Sequence, residues 1–443
     1  MALVTDENKV SEQGKQRMHA DFELKARRLD ALTLVVFVGT VLSMLTRYVN
    51  AAYFGLKYPM TSFLYDPADR FNDFLKTILD IRAFNAARDG AAMAYTPLQH
   101  LILYVEIRAV GFLHIRPAIL WITIGAFTGL LVWFLIRFFT QRGAGVPVNA
   151  LRVFTLTALS FPVLFLLDRA NTEMLVFAAV LGFVFFYYIR PNKWLWIAFL
   201  AVAIGLKIYP AVLLLIPFSD RRFRDTAYVV LGVVVATIVS IFVIGLQSRY
   251  GFSGVMQRWL TYLLNGQAGN AAIQWGGIQH GHSLWGATYL ADVLVGKPFS
   301  FTVLKNAYTV FALAAGLAGA TWLFFGRLQP WQKMTIVVFM GLLLPFSSHD
   351  YTLVHVYFPL ALYVAARDTQ VFDRTFTVLF ALLLVPLDYY YFVQNPKIWP
   401  AELAATWPGT FTSISVLAYP LIMLSILGLI AVQERRSRSV ASG

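Results

Sequence analysis

Long apolar runs separated by short polar segments occupy most of the 443-residue chain. A helix that crosses the hydrocarbon core of a bilayer needs about 20 apolar residues. The runs predict about twelve membrane helices, some short or broken, at residues 31–49, 118–139, 152–167, 173–189, 194–206, 208–218, 226–245, 302–325, 334–346, 351–366, 373–392 and 412–432. The predicted fold class is therefore all-α: a polytopic integral membrane protein with additional amphipathic or re-entrant helices outside the membrane.

The stretch that begins at Thr96, TPLQHLILYVEIRAVGF, is apolar but short, and it carries Glu106 and Arg108. We predict a helix that dips into the outer leaflet without crossing it. If it crossed, Arg137 and Arg142 would fall outside, against the excess of basic residues that membrane proteins carry on their cytoplasmic side.

The same rule orients the whole chain. Lys25, Arg27 and Arg28 precede the first predicted span, which places the N-terminus inside. We predict a cytoplasmic tail at 1–30, a single transmembrane domain at 31–433 and a basic cytoplasmic tail at 434–443. The transmembrane domain carries two long outside loops, at 50–117 and 247–300.

The composition agrees with this topology, because 58% of the residues are hydrophobic and only 13% are charged. The net charge of +13 does not indicate nucleic-acid binding, since the basic residues stand at the ends of apolar runs. The chain has no cysteine, which excludes disulfides, thiol catalysis and cysteine-ligated metal sites.

Three aspartates fall within YDPADRFNDFLK, residues 65–76, just after the first span. Asp66 followed by Pro67 is typical of a helix start, with Asp66 as N-cap. Asp69 would then lie at the third helical position, where a carboxylate is also stabilising. Asp73 has no such structural explanation, so we predict that it is a catalytic base, with Asp69 beside it. The alternative is that these carboxylates only form the solvated face of a surface helix.

Three further polar clusters lie on the predicted outer side: DRANTE at 168–173, GLKIYP at 205–210 and SSHDY at 347–351. A charge at bilayer depth costs roughly 2.5–3.5 kcal/mol or more and is a functional hypothesis by default. We therefore predict that these clusters converge with Asp73 on one site. The candidate residues are Arg169, Asn171, Glu173, Lys207, His349 and Asp350. The alternative is that each cluster caps its own hairpin, with His349 and Asp350 bonded to each other.

The outside loop at 247–300 is rich in glycine, which suits a folded-back binding loop. His280 and His282 form a close pair, but no third metal ligand is near them in the sequence. We predict contacts to substrate hydroxyls or phosphate, with Trp275 and Trp285 as stacking surfaces for a sugar. No metal and no cofactor are expected.

Several short motifs resemble those of a known class. They are an acidic residue after the first span, a Y-x-P-L helix (Tyr95, Pro97, Leu98), an R-x-N turn (Arg169, Asn171), a G-x-K-x-x-P hairpin (Gly205, Lys207, Pro210) and a late polar hairpin with His349. The chain resembles the GT-C glycosyltransferases and is most similar to the bacterial family 87 enzymes, typified by polyprenyl-phosphate-mannose-dependent α-mannosyltransferases.

The resemblance implies an active site on the outer, periplasmic face of the bacterial inner membrane. The donor would be mannose or another hexose or pentose on polyprenyl phosphate, and the acceptor a lipid-linked or other glycan. A phosphate leaving group needs positive charge, which Lys207 and Arg169 would supply, and the acceptor hydroxyl needs one base. In-line attack would invert the anomeric centre.

Two other functions remain open at this point. A transporter or flippase of a lipid-linked glycan also contains broken helices and intramembrane charges, but here the polar clusters gather on one side and no inverted repeat is visible. A lipid-linked glycan polymerase or ligase would share the donor chemistry and the outside loop.

Overall fold

The computed structural model of the protein describes residues 12–55, 71–85, 96–113, 116–141, 143–265, 281–296, 298–367, 371–387, 390–393 and 410–442. These residues are mainly helical, which confirms the all-α fold class. One small antiparallel sheet joins β1 (Tyr390–Val393) to β2 (Thr410–Ser413), with Tyr390 paired to Ser413.

The α-helices of the described residues are, in chain order, α1 (Glu12–Ala52), α2 (Asn72–Asn85), α3 (Pro97–Leu113), α4 (Arg116–Phe139), α5 (Val146–Ala158), α6 (Phe161–Arg169), α7 (Glu173–Val184), α8 (Lys193–Leu206), α9 (Leu215–Ser219), α10 (Phe223–Gln247), α11 (Gly251–Asn265), α12 (Leu284–Leu294), α13 (Phe301–Phe325), α14 (Pro330–Leu343), α15 (Tyr357–Ala365), α16 (Asp373–Leu382) and α17 (Ser415–Ser442). A π-helical turn at Phe185–Ile189 extends α7. Short 3₁₀ helices, Tyr209–Leu214 and Asp350–Val356, precede α9 and α15.

Within the described residues, five helices are long and apolar enough to cross a membrane. They are His19–Ala52 in α1, Leu120–Phe139 in α4, Phe223–Gln247, Phe301–Phe325 and Ser415–Arg438 in α17. Helices α5 and α6 meet at a bend of 51° and would form a sixth span if the pair crosses together. The remaining apolar runs form shorter or broken helices, so the count of about twelve spans stays a prediction.

The predicted span at 373–392 is not one helix. Helix α16 ends at Leu382, and residues 390–393 form β1 instead. Pro386 lies between them, and a proline removes a backbone donor that a continuing helix needs. The run YYYFV after it is aromatic and β-branched, a composition that favours strands and that a count of apolar residues does not distinguish from a helix.

The start of α2 also differs from the prediction. Asp66, Pro67 and Asp69 lie outside the described residues, but α2 begins only at Asn72. Phe71 has φ of 58°, and its N–H donates to the Asp168 carbonyl at 2.8 Å. A left-handed residue cannot continue a right-handed helix, so a helix running unbroken from Pro67 through Asp73 is wrong. Asp73 instead lies in the first turn of α2.

Helices α7 and α8 pack into a tight hairpin that carries two of the predicted site residues at its open end. A Cβ built on Gly182 would stand 2.4 Å from Cδ1 of Phe199, closer than any side chain tolerates. Glu173 is the first residue of α7, and Lys207 directly follows α8. The close contact at Gly182 therefore helps to set the positions of Glu173 and Lys207.

The beginning of α3 rests on the end of α8. The Thr96 hydroxyl donates to the Leu206 carbonyl at 2.7 Å. A Cβ on Gly205 would stand 2.7 Å from Cδ2 of Leu98. The Y-x-P-L and G-x-K segments are thus in direct contact, and together they anchor the backbone beside Lys207.

Candidate active site

The carboxylate of Asp73 is held by two residues from the turn between α6 and α7. Oδ1 accepts from Arg169 Nε at 3.1 Å and also from Arg169 Nη2, and Oδ2 accepts from Asn171 Nδ2 at 2.7 Å. A carboxylate offers about four lone-pair positions. Among the described residues these contacts use three of them, and the side chain is 23% exposed. One acceptor position on Oδ2 is therefore left open by the described residues.

The turn that holds Asp73 owes its shape to a left-handed alanine. Ala170 ends α6 with φ 46° and ψ 41°. A non-glycine residue in this region costs roughly 1–2 kcal/mol, and such strain is concentrated at functional turns. The reversal brings Arg169 and Asn171 to the same carboxylate, while the Asp168 carbonyl binds the N–H of Phe71.

The side-chain amide of Asn171 connects Asp73 to Lys207. Its Oδ1 accepts from Lys207 Nζ at 3.1 Å and from the Glu173 N–H at 2.9 Å, while its Nδ2 donates to Asp73. A flipped amide would point NH₂ at two donors and its oxygen at a carboxylate. The contacts thus fix the amide in one orientation.

Lys207 lies in extended backbone directly after α8. Its Nζ donates to Glu173 Oε2 at 2.7 Å and to Asn171, and it lies 5.2 Å from the ring centroid of Tyr351. An ammonium has three protons to donate. Two are used within the described residues, which leaves one for a ligand.

Behind Lys207 the structure places two residues that the sequence analysis missed. His355 Nε2 lies 2.7 Å from Glu173 Oε1, and the Tyr209 hydroxyl also bonds that oxygen. His355 falls inside the apolar run predicted as the span 351–366. A histidine inside such a run is itself a functional signal, so this residue could have been found from the sequence.

His349 lies beside the same cluster, with its ring centroid 5.5 Å from that of Tyr351 and its Nε2 3.2 Å from the Ser347 hydroxyl. Burial lowers the pKa of His349 to about 4, with a smaller lowering from the nearby Lys207 and Arg169 cations. The negative charge of Asp73 raises this pKa, but by less than burial lowers it. The ring is therefore neutral at pH 7, suited to hydrogen bonding with a polar substrate.

His282 and Asp350 belong to a second, fully buried cluster. His282 Nδ1 lies 3.2 Å from Asp350 Oδ1, and its Nε2 lies 2.9 Å from the Ser348 hydroxyl. The backbone N–H of His282 also donates to the backbone carbonyl of Ser348 at 3.0 Å. Neither ring nor carboxyl has exposed surface. The cluster fastens the start of α12, within the region 247–300, to the 347–351 hairpin, whereas His280 lies outside the described residues.

The predicted stacking residue Trp285 is also fully buried. Its ring packs against Tyr289, Tyr308 and Phe346, with centroids 5.1–5.7 Å away. In this structure it offers no face to a sugar, while Trp275 lies outside the described residues.

Among the residues that the structure describes, no group of three or more His, Cys, Asp or Glu is placed to hold a metal ion. The expectation of a metal-independent reaction stays a prediction.

Substituting Asp350 by asparagine should change how thermal stability depends on pH. Burial raises the pKa of Asp350 to about 8 and lowers the pKa of His282 to about 3, so the folded pair is neutral and carries one proton at pH 7. In the unfolded chain these groups titrate near 4 and 6.5. Between about pH 4 and 6.5 the folded pair and the unfolded pair each bind one titratable proton, on Asp350 in the folded protein and on His282 in the unfolded chain. Above pH 6.5 only the folded pair does, so the pair's contribution to stability falls by on the order of 1 kcal/mol per pH unit up to about pH 8.

The Asp350→Asn variant should lack that decline between pH 6.5 and 8. It should instead lose stability below pH 6.5, where the unfolded His282 gains a proton that nothing now offsets. Melting temperatures of purified protein in detergent across this range provide the measurement. Superimposable profiles for the variant and the wild type would contradict a neutral buried pair.

No curated protein and no solved structure matches the chain. Residues 90–346 match the model of Glycosyltransferase family 87. The matched segment contains Arg169, Asn171, Glu173 and Lys207, whereas Asp73 precedes it and His355 follows it. Because the segment is more than half of the 443-residue chain, the protein belongs to glycosyltransferase family 87.

Proposed function

We propose that this glycosyltransferase transfers a sugar from a polyprenyl-phosphate donor to a hydroxyl of a lipid-linked or glycan acceptor, on the outer face of the bacterial inner membrane. The observation that carries the proposal is the bridge made by Asn171. One amide connects Asp73, which keeps one acceptor position on Oδ2, to Lys207, which keeps one proton to donate. A base and a cation held at adjacent points are what glycosyl transfer from a phosphate requires.

In the proposed reaction the acceptor hydroxyl donates its hydrogen bond to Asp73 Oδ2. As the hydroxyl oxygen attacks the anomeric carbon, its proton passes to Asp73. The bond from that carbon to the phosphate oxygen breaks, and the polyprenyl phosphate leaves with the bonding electrons. Attack opposite the leaving group inverts the anomeric centre.

Lys207 is assigned to the donor phosphate, because its third proton can be donated to an oxyanion whose charge grows as the bond breaks. Arg169 was also predicted to hold this phosphate. Its Nε and Nη2 lie on Asp73 in this structure, so we assign it first to keeping the base ionised and oriented. A phosphate contact by Arg169 stays a prediction.

His349 is proposed to contact a substrate hydroxyl through its neutral ring. Asp350 and His282, by contrast, have no exposed surface, so we assign them to holding the 347–351 hairpin in place. The predicted roles of Asp69 and His280 stay predictions, since both residues lie outside the described part of the chain.

Incubation of the purified protein tests this function. The donors are mannose, glucose, galactose and arabinose, each linked to polyprenyl phosphate, and a membrane lipid extract supplies the acceptor. Mass spectrometry should show one product that has gained a single sugar, with release of polyprenyl phosphate. A ladder of products would favour the polymerase alternative. No turnover with any donor, combined with movement of lipid-linked glycan across vesicles, would favour a transporter.

Replacement of Lys207 by alanine should raise the KM for the lipid donor by at least about 10-fold, because a charge-assisted hydrogen bond of about 1.5–3 kcal/mol is lost. Lys207→Arg should retain part of the activity, since a planar guanidinium keeps the charge but not the geometry of an ammonium. Lys305→Ala, near the start of α13 and outside the hydrogen-bond network around Lys207, serves as a control. An unchanged donor KM in Lys207→Ala would remove this residue from the site.

A further inference from the structure

A completely buried carboxylate lies against Lys207. Glu173 has no exposed surface, and its Oε2 accepts from Lys207 Nζ at 2.7 Å. Its Oε1 accepts from His355 Nε2 at 2.7 Å and from the Tyr209 hydroxyl. A buried ion costs several kcal/mol unless its partners compensate it. Three donors surround this one, Lys207 and Tyr209 from the segment 205–210 and His355 from the 3₁₀ helix before α15.

We infer that Glu173 is a positioning residue for the donor phosphate: it acts through Lys207, and Tyr209 and His355 fix its carboxylate. The inference rests on the proposed function, in which Lys207 binds that phosphate. Glu173 itself has no surface to offer a substrate, although the sequence analysis predicted a substrate contact. Its effect on the reaction must therefore pass through the side chain that it holds.

A free lysine side chain has about 2 kcal/mol of rotamer entropy to lose on binding a ligand. Glu173 and Asn171 hold Nζ from two directions before any donor arrives, so the third N–H has a defined direction. Ordering a side chain in advance increases affinity by removing part of that cost from the binding step.

Tyr209 and His355 keep the carboxylate itself from turning. The Tyr209 hydroxyl lies 2.6 Å from His355 Nε2, so these two groups and Oε1 form a closed triangle. The His355 ring packs against Phe177 and Phe358, with centroids 6.2 and 5.6 Å away. The clamp thus connects the start of α7, the 3₁₀ helix after Lys207 and the 3₁₀ helix before α15.

A positioning role and a purely electrostatic role of Glu173 predict opposite changes in phosphate affinity for Glu173→Gln. Removing a negative charge beside Lys207 makes the site more positive, so binding of an anion should tighten if charge alone matters. The amide instead turns NH₂ towards one of three donors and releases Lys207 from its fixed position. Positioning therefore predicts weaker binding of the phosphate.

The inhibition constant of undecaprenyl phosphate, measured on full-length protein in detergent, is the direct test. Glu173→Gln should weaken binding by about 10-fold, with the acceptor KM unchanged. His355→Leu should have the same effect, whereas His355→Gln, which keeps an N–H donor at similar reach, should bind nearly as well as wild type. Tighter or unchanged binding in Glu173→Gln overturns the inference, as does equal loss in the two His355 variants. If Glu173→Gln does not fold, the His355 pair decides.

A double-mutant cycle separates this inference from the proposed function. Glu173→Gln should add no further loss in a Lys207→Ala background, because both act through one ammonium. Additive losses would mean that Glu173 acts independently, and the inference would fail while the role of Lys207 stands. If Lys207→Ala alone leaves undecaprenyl phosphate binding unchanged, the proposed phosphate site itself is wrong.

Discussion

Replacement of Asp73 by asparagine is expected to lower kcat at least about 10²-fold, with the KM values for donor and acceptor largely unchanged. The amide keeps the size of the carboxyl group and can still accept hydrogen bonds from Arg169 or Asn171. It cannot accept a proton at neutral pH, so the acceptor hydroxyl loses its base. Rates of sugar transfer on purified variants of matched thermal stability provide the measurement.

Asp80→Asn, two turns further along α2, is the matched control and should retain activity. Asp69→Asn tests the neighbouring aspartate that was predicted beside the base. If Asp69→Asn is inactive while Asp73→Asn turns over, the wrong carboxylate has been chosen. Normal turnover by both variants would place the base elsewhere and remove much of the support for the mechanism.

The substitution Asn171→Asp should cause a loss of similar size, although it changes a single NH₂ to oxygen. It removes the donor to Asp73 Oδ2 and puts a second carboxylate against the first. Two carboxylates this close cannot both be ionised at ordinary cost, so a proton shared between them blocks the base. The assay is again the rate of sugar transfer, with donor and acceptor KM determined separately.

Asn192→Asp provides the control for this substitution, at the other end of the α7–α8 hairpin. Asn192 caps α8, since its side chain accepts from the Leu195 N–H, and aspartate caps a helix about equally well. The control should fold and turn over normally. If Asn171→Asp is equally active, the bridge between Asp73 and Lys207 is not part of the reaction.

The residues that the structure brings together could largely be selected from the sequence, because charges are rare in apolar chains. Asp73, Arg169, Asn171, Glu173 and Lys207 each interrupt or border an apolar run, and they form one connected network. The connections within the network could not be predicted. That Arg169 pairs with Asp73, and that Glu173 lies behind Lys207, depends on how separate helices pack.

The errors in the fold have local physical causes. The sequence predicts too early a start for α2. The observed start depends on a hydrogen bond from Phe71 to the Asp168 carbonyl, a tertiary contact that local capping residues do not indicate. The sequence predicts a membrane helix up to residue 392, where the structure has a strand at 390–393, because the prediction counts apolar residues and aromatic residues are apolar in both helices and strands. The buried contacts of His282 with Ser348 and Asp350 could not be predicted, because these partners are distant in sequence.

The hydrogen bonds between the start of α2 and the turn after α6 have a consequence for side reactions of the proposed mechanism. The hydrogen bonds of Phe71 and Asp73 join the start of α2 to residues 168–171, so a displacement of this helix start would separate Asp73 from Arg169 and Asn171 together. Water that reached the donor in such an opened state would meet no aligned carboxylate. In the proposed mechanism, hydrolysis of the activated sugar would therefore be slow whenever the start of α2 is displaced from that turn.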